Sequence, residues 1–337
     1  MTTIQSAPRS SLFAWLRLLR ISALPSAISN ILMAYLLANQ SWTPTIDLGL
    51  LILASSCLYL GGMVLNDVFD FEVDLIERPQ RPLPAKQISR DTARWVGYGL
   101  LLSGVTLASL AGWVGNHGSE LTFASPLVRC FTVSVLLAIC IVLYDGPLKK
   151  TILAPGLMGT CRSLNILLGA STFIPLATSL DASSNPHVLG LPQAVWWVAL
   201  AVGVMISGVT LLGRREAVDS QPRFPLAMGA AMVITGLIGL ALVVYCPTTF
   251  EISGKTKQLF PLFVCLISLT IARRVIEAAV VASPKKIQSA IISVLKSVII
   301  FDALICYLVA PFNLMYALVV VALLIPSILL SKAISST

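Results

Sequence analysis

Leu65-Asn66-Asp67-Val68-Phe69-Asp70-Phe71-Glu72-Val73-Asp74 decides how the rest of this chain is read. It closes an apolar run that begins near Leu48 and leads into the basic, proline-rich stretch Arg78-Pro-Gln-Arg81-Pro-Leu-Pro-Ala-Lys86. The chain has fifteen acidic residues in 337, and five of them lie between Asp67 and Glu77. Crowding carboxylates where a helix leaves a bilayer is unfavourable unless a cation sits among them. The cluster therefore points to a bound metal and to chemistry.

Composition sets the class. Hydrophobic residues make up 57% of the chain and charged residues 11%, with a mean hydropathy of +0.89. Apolar runs of bilayer length recur at about 20–39, 48–66, 93–114, 127–144, 153–177, 194–212, 225–246, 258–281, 288–310 and 314–332. Lipid-exposed backbone must satisfy its own hydrogen bonds, so these runs are expected to be helices. The expected class is an all-α, polytopic membrane bundle with no soluble appendage.

The net charge of +8 follows topology and does not signal nucleic acid. With the N-terminus on the cytoplasmic side, loops on that side hold sixteen Lys and Arg, against three (Arg129, Lys255, Lys257) on the other. That bias puts the acidic cluster and the Arg214–Arg223 loop on the same face. No cleavable targeting segment is evident near the N-terminus. The seven cysteines lie in or beside apolar runs without a CxxC pair, and both histidines, His117 and His187, fall in expected external loops. These patterns imply neither a disulfide framework nor a zinc or haem site.

If the helix continues past Asn66, then Asp67, Asp70 and Asp74 share one face, because their spacings are three and four. Asn66 adds a neutral oxygen beside them, and Glu72 points elsewhere. Such hard oxygen ligands suit Mg²⁺, which binds through a few carboxylates plus substrate phosphates. After the sixth span, Glu216 and Asp219 are again three apart and are candidates for a second metal. Arg214, Arg215 and Arg223 beside them are candidates for phosphate oxygens. The recurrence of charged exits four spans apart hints at an internal repeat. Lys149 and Lys150 follow the fourth span, and Arg162 and Asn165 share a face inside the fifth, where a charge usually faces a functional interior. Arg20 is either an interfacial anchor or a reach into the same cavity. Arg273, Arg274 and Glu277, and Lys296 with Asp302, are expected to be internal ion pairs or snorkelling ends.

These residues together resemble the UbiA-type intramembrane prenyltransferases. The likeness rests on Asn66-Asp67-x-x-Asp70-x-x-x-Asp74, Arg81-Pro82-Leu83, Tyr144 to Lys149, Arg162-x-x-Asn165-x-x-Leu-Gly169 and the acidic loop after the sixth span. It runs from about residue 15 to 330. The stretch from Tyr144 through Asn165-Ile-Leu-Leu-Gly-Ala-Ser is similar to the EboC-like branch. The resemblance implies one domain over residues 1–337, with 1–14 a flexible N-terminus and nine or ten transmembrane helices around a central cavity. It also implies a Mg²⁺-held prenyl diphosphate and transfer of the prenyl group to a lipophilic or aromatic acceptor. Catalysis would fall to Asp67, Asp70 and Asp74, and substrate binding to Asn66, Arg81, Lys149, Arg162, Asn165 and Arg215. Metal would be held by those three aspartates with Glu216 and Asp219. The implied setting is a bacterial inner membrane with the site facing the cytoplasm.

The chain departs from the family pattern in two places. Glu216-x-x-Asp219 stands where Asp-x-x-x-Asp is usual, and the Tyr144 to Lys149 spacing is one residue long. A non-catalytic isoprenoid carrier on the same fold is the second reading, since Arg162, Lys296 and Asp302 would also serve a transport path. A CDP-alcohol phosphatidyltransferase is disfavoured, because Asp145-Gly146 is followed by Pro-Leu-Lys where that family has Ala-Arg.

Overall fold

The computed structural model describes residues 11–42, 45–116, 122, 125–174, 187–214, 223–247, 252, 254–311 and 313–335. In chain order the helices are α1 (Ser11–Leu18), α2 (Leu24–Asn39), α3 (Ile46–Phe69), α4 (Phe71–Glu77) and α5 (Arg90–Gly115). They continue as α6 (Pro126–Asp145), α7 (Ala154–Gly169), α8 (Gln193–Gly213), α9 (Arg223–Leu242) and α10 (Gly254–Val281). The last are α11 (Pro284–Val309), α12 (Leu314–Ala322) and α13 (Leu324–Ser335). Short 3₁₀ turns at Ile21–Ala23 and Val243–Tyr245 extend α2 and α9. Start signals follow the sequence: Ser89 caps α5 by accepting from the Thr92 amide at 3.0 Å, and Pro126 and Pro284 open α6 and α11.

Among the described residues, nine helical segments are long and apolar enough to cross a membrane. They match nine of the ten apolar runs. The tenth run, 153–177, becomes α7, only 16 residues long, or about 24 Å. Arg129 explains why it stops early. This side chain, expected at an external surface, is buried at 5% exposure. It donates to the carbonyls of Ser171 (3.1 Å), Phe173 and Gly190 (3.0 Å). Carbonyls satisfied in this way need no helix to complete them. A two-residue antiparallel pairing of His187–Val188 with Leu191–Pro192 is a further departure from an all-helical reading. The expected flexible N-terminus lies outside the described residues up to position 10, and the chain is helical from Ser11.

The helices form a ring in chain order, with successive contacts from α5 to α6 and on to α11. The most buried span, α2, closes the ring by touching α3, α7 and α11. Lipid tails offer no hydrophobic drive for helix pairing, so close backbone approach and interhelical hydrogen bonds hold the ring. A β-carbon on Gly159 would collide with Ser207 Oγ and the Gly203 carbonyl, and one on Gly203 with Ser163 Oγ. On Gly208 it would stand 2.6 Å from the Gly229 carbonyl. These contacts weld α7 to α8 and α8 to α9. Gly159→Val is expected to destabilise the protein by about 1–3 kcal/mol through overpacking. Gly156→Ala, where a β-carbon meets nothing within 4 Å, is expected to leave the melting temperature in detergent unchanged or raised.

Candidate active site

The acidic end of α3 is built by a kink that keeps helical register. Asp70 is both the last cap of α3 and the first of α4. Backbone bonds Asp70 N to Asn66 O (3.0 Å) and Asp74 N to Asp70 O (2.9 Å) carry the turn through it. Asp67, Asp70 and Asp74 therefore stay on one side of the chain. The basic, proline-rich segment then folds back over them. Buried Leu83 anchors it in a small core with Val64, Val68, Leu18 and Ala93, which brings Arg81 above the cluster.

Each carboxylate meets a cation from a different segment. Arg20 Nη2 lies 2.7 Å from Asp67 Oδ1, and Arg81 Nη1 lies 2.6 Å from Asp74 Oδ2 and 3.3 Å from Asp67. Lys149 Nζ lies 2.6 Å from Asp70 Oδ2 and 2.8 Å from Asn66 Oδ1. The side chains of Asp67 and Asp74 are 6% and 4% exposed, while that of Asp70 is 25% exposed. Arg20 reaches Asp67 from a left-handed backbone conformation, φ 45° and ψ 45°. That conformation costs a non-glycine residue roughly 1–2 kcal/mol, and strain of this kind collects at functional sites. Glu72 is exposed and turns away to Arg90 at 2.8 Å.

The spacing argument expected the three aspartates to form one ligand set. Instead Asp67 and Asp74 share Arg81, and Asp70 faces Lys149. Among the described residues no three His, Cys, Asp or Glu side chains converge to hold a metal ion. Basic side chains interleaved between the acids relieve their mutual repulsion. The donor chemistry still fits Mg²⁺. Asn66, Asp67, Asp70 and Asp74 offer only hard oxygens, and Asp70 is open to solvent.

One helical turn inward from Asn66 and Asp67 lie Gly62 and Met63, in the wall of a cavity of about 440 Å³. Leu58, Leu137, Ile141, Met158, Ile206 and Val209 make much of it apolar. Ser22, Ser26, Ser327 and Ser331 line the side where α13 packs against the start of α2, and Ser327 Oγ donates to the Ser22 carbonyl at 2.9 Å. Arg162 and Asn165 both line this cavity. Arg162 donates to Asn30 Oδ1 (3.0 Å) and the Ser26 carbonyl (3.1 Å), while Asn165 donates to the Ala27 carbonyl (3.0 Å) and accepts from Ser55 (2.6 Å).

Arg215, Glu216 and Asp219 lie outside the described residues, and with them most of the second charged exit of the suggested repeat. Arg214, at the end of α8, donates to the carbonyls of Lys149 and Thr151, so it braces the segment carrying Lys149. Of the residues expected to be internal ion pairs or snorkelling ends, Arg273, Arg274 and Lys296 are exposed. Glu277 pairs with Lys286 at 2.5 Å instead of with Arg273 or Arg274. Asp302 accepts from Ser29 (2.6 Å) and Asn30 (2.8 Å), not from Lys296. Six residues on a helix turn through about 600°, which puts Lys296 and Asp302 on different faces. Sequence reasoning did not single out Asp145, which is 5% exposed in the cavity wall beside Tyr144. An acid ending an apolar span was the available signal.

A family model described as the UbiA prenyltransferase family matches residues 27–295. The chain belongs to that family. Curated relatives include digeranylgeranylglyceryl phosphate synthases. The one from Metallosphaera sedula is 30% identical over 162 residues, covering 47% of this chain and 51% of the relative. The one from Saccharolobus solfataricus is 27% identical over 164 residues, covering 48% and 53%. The chain thus spans about half the length of the curated relatives it matches. Among solved structures, one of digeranylgeranylglyceryl phosphate synthase in membranes superposes with a TM-score of 0.60 at 17% identity, covering 93% of this chain and 99% of that one. A UbiA homologue from Archaeoglobus fulgidus bound to DMAPP and Mg²⁺ gives 0.52 at 15% identity, covering 91% and 99%. At such identities the superpositions show the shared UbiA fold.

Arg81→Met removes the cation from Asp74 while that carboxylate stays buried. Thermal unfolding in detergent is expected to show a loss of about 1–3 kcal/mol. Adding Asp74→Asn to Arg81→Met is expected to recover most of the loss. Equal melting temperatures for wild type and Arg81→Met would contradict the pairing.

Proposed function

We propose that this protein transfers a prenyl group from a Mg²⁺-held prenyl diphosphate to a lipophilic acceptor inside the membrane. One observation carries the reading: an acidic cluster interleaved with Arg20, Arg81 and Lys149 stands one helical turn from the wall of a largely apolar cavity. Asp67, Asp70 and Asp74 would hold the metal, with Glu216 and Asp219 as candidates for a second. Bound Mg²⁺ supplies Lewis-acid neutralisation of the diphosphate.

The chemistry follows from the charges. The allylic C1–O bond of the donor breaks, and its electron pair leaves with the diphosphate. Arg81 and Lys149, with Arg215 as a further candidate, offer N–H donors to the charge that develops there. The prenyl chain lies among Leu58, Leu137, Ile141 and Val209, where water that would capture the cation is excluded. Arg162 and Asn165 fix the far wall and orient what enters it. A nucleophilic atom of the acceptor then bonds to C1 and gives up its proton.

The acceptor is the finer part of the proposal. The synthases named above favour a prenylated glycerol phosphate over a quinone head group. The sixteen-to-three bias of basic residues counts α7 as a crossing, which the contact of Arg214 after α8 with the Lys149 carbonyl after α6 supports, and it favours an acidic pole facing the cytoplasm. Asp67→Ala and Asp70→Ala are each expected to lower Mg²⁺-dependent transfer from a radiolabelled prenyl diphosphate in membranes by about 10²-fold or more. Full activity in either variant would overturn the assignment.

A further inference from the structure

A second concave site lies between α10 and α11, at the same end of the bundle as the acidic cluster. It is an open groove of about 340 Å³ lined by Arg274, Lys285, Gln288, Ser289, Ile292, Ser293 and Lys296. No carboxylate is among these residues, and among the described residues none of the three cations is in an ion pair. The nearby acid, Glu277, is occupied by Lys286. Arg274 is held in place: its Nη1 donates to Ser293 Oγ at 2.6 Å, and that hydroxyl donates in turn to the Ser289 carbonyl at 2.8 Å. Arg274, Lys285 and Lys296 are exposed, so water can hydrate each of them, but three cations with no carboxylate among them make an electropositive surface that attracts an anion.

The groove adjoins the cavity. Ile292 and Lys296 line both. Lys285, Ser289, Ile292, Lys296 and Ile299 are spaced by four, three, four and three, so they form one stripe along α11. The stripe runs about 16 Å from Lys285 to Lys296. Its last member, Ile299, lies in the cavity wall. A ligand spanning both spaces would put a compact anion among fixed and mobile N–H donors and an apolar tail in the cavity. Arg274 suits phosphate through its fork of donors, and the lysines suit it as point charges.

We propose that the Arg274, Lys285 and Lys296 groove binds the phosphate of a phosphomonoester amphiphile whose hydrocarbon part enters the central cavity. The identification of that amphiphile with the acceptor rests on the transfer reading above, but its binding does not. The groove is separate from the diphosphate pole, so donor and acceptor would each have an anion site of their own.

The test is equilibrium binding of radiolabelled oleoyl lysophosphatidate to the purified full chain in detergent. It includes neither prenyl diphosphate nor Mg²⁺, so failure of turnover has no bearing on the result. Unlabelled lysophosphatidate is expected to compete at concentrations at least about tenfold below monooleoylglycerol and inorganic phosphate. The triple variant R274Q/K285Q/K296Q is expected to weaken binding by about tenfold or more. K296Q alone, at an exposed position, shifts it in the same direction by a few-fold. R273Q, a neighbouring cation outside the groove, leaves it unchanged. Wild-type affinity in the triple variant would overturn the proposal. Equal competition by monooleoylglycerol would mean that the phosphate is not read, and equal competition by inorganic phosphate would mean a free-phosphate site. A loss in R273Q as large as in K296Q would reduce the effect to general surface charge. Each of these outcomes contradicts the proposal.

Discussion

Neutralising the buried carboxylates at the end of α3 is the constraint on which this structure turns. Asp67 and Asp74 are almost wholly withdrawn from water, and an uncompensated charge there would cost several kcal/mol. Three segments far apart in sequence are shaped to prevent it. The residues joining α1 to α2 place Arg20 in a left-handed conformation toward Asp67. The loop after α4 is pinned by Leu83 so that Arg81 bridges Asp67 and Asp74. The chain leaving α6 delivers Lys149 to Asp70. Two of these segments border the cavity, through Ser22 at the start of α2 and Tyr144 and Asp145 at the end of α6, and Met63 of α3 lies between them and the acids. The electrostatic requirement that shapes the charged pole therefore also sets part of the neighbouring cavity wall.

Deeper in the bundle the same logic sets the position of α2. Arg162 of α7 donates to Asn30, and Asn30 and Ser29 donate to Asp302 of α11. Asn165 ties the Ala27 carbonyl to Ser55 of α3. These bonds draw α3, α7 and α11 onto one central helix, in a medium where each unmet polar group is expensive. They also leave Arg162 in the wall of the cavity. A single network thus closes the ring and gives an otherwise apolar chamber its polar floor.

The sequence was most legible where a rule depends on length or local spacing. Among the described residues, nine apolar runs became membrane-length helices because twenty apolar residues have few other stable arrangements. The three-four spacing of Asp67, Asp70 and Asp74 survives the kink at Asp70, so the acids do gather on one side. Partners were less legible, because spacing does not say which distant segment arrives. Arg20 read equally well as an anchor, and Arg129 looked external although it terminates α7 from within. Lys296 and Asp302 read as an ion pair or as snorkelling ends, and helix rotation rules out the pair. Asp145 was hidden among residues that read as an interfacial exit. Arg215, Glu216 and Asp219 rest on the sequence alone.

The central claim is that the interleaved acidic pole binds a diphosphate together with Mg²⁺. The most direct measurement is the affinity of an unreactive donor analogue, farnesyl S-thiolodiphosphate, with and without Mg²⁺, for wild type and Asp70→Asn. The account predicts that Mg²⁺ tightens wild-type binding by about tenfold or more, and that Asp70→Asn abolishes this gain. Binding that ignores both Mg²⁺ and the substitution would contradict it.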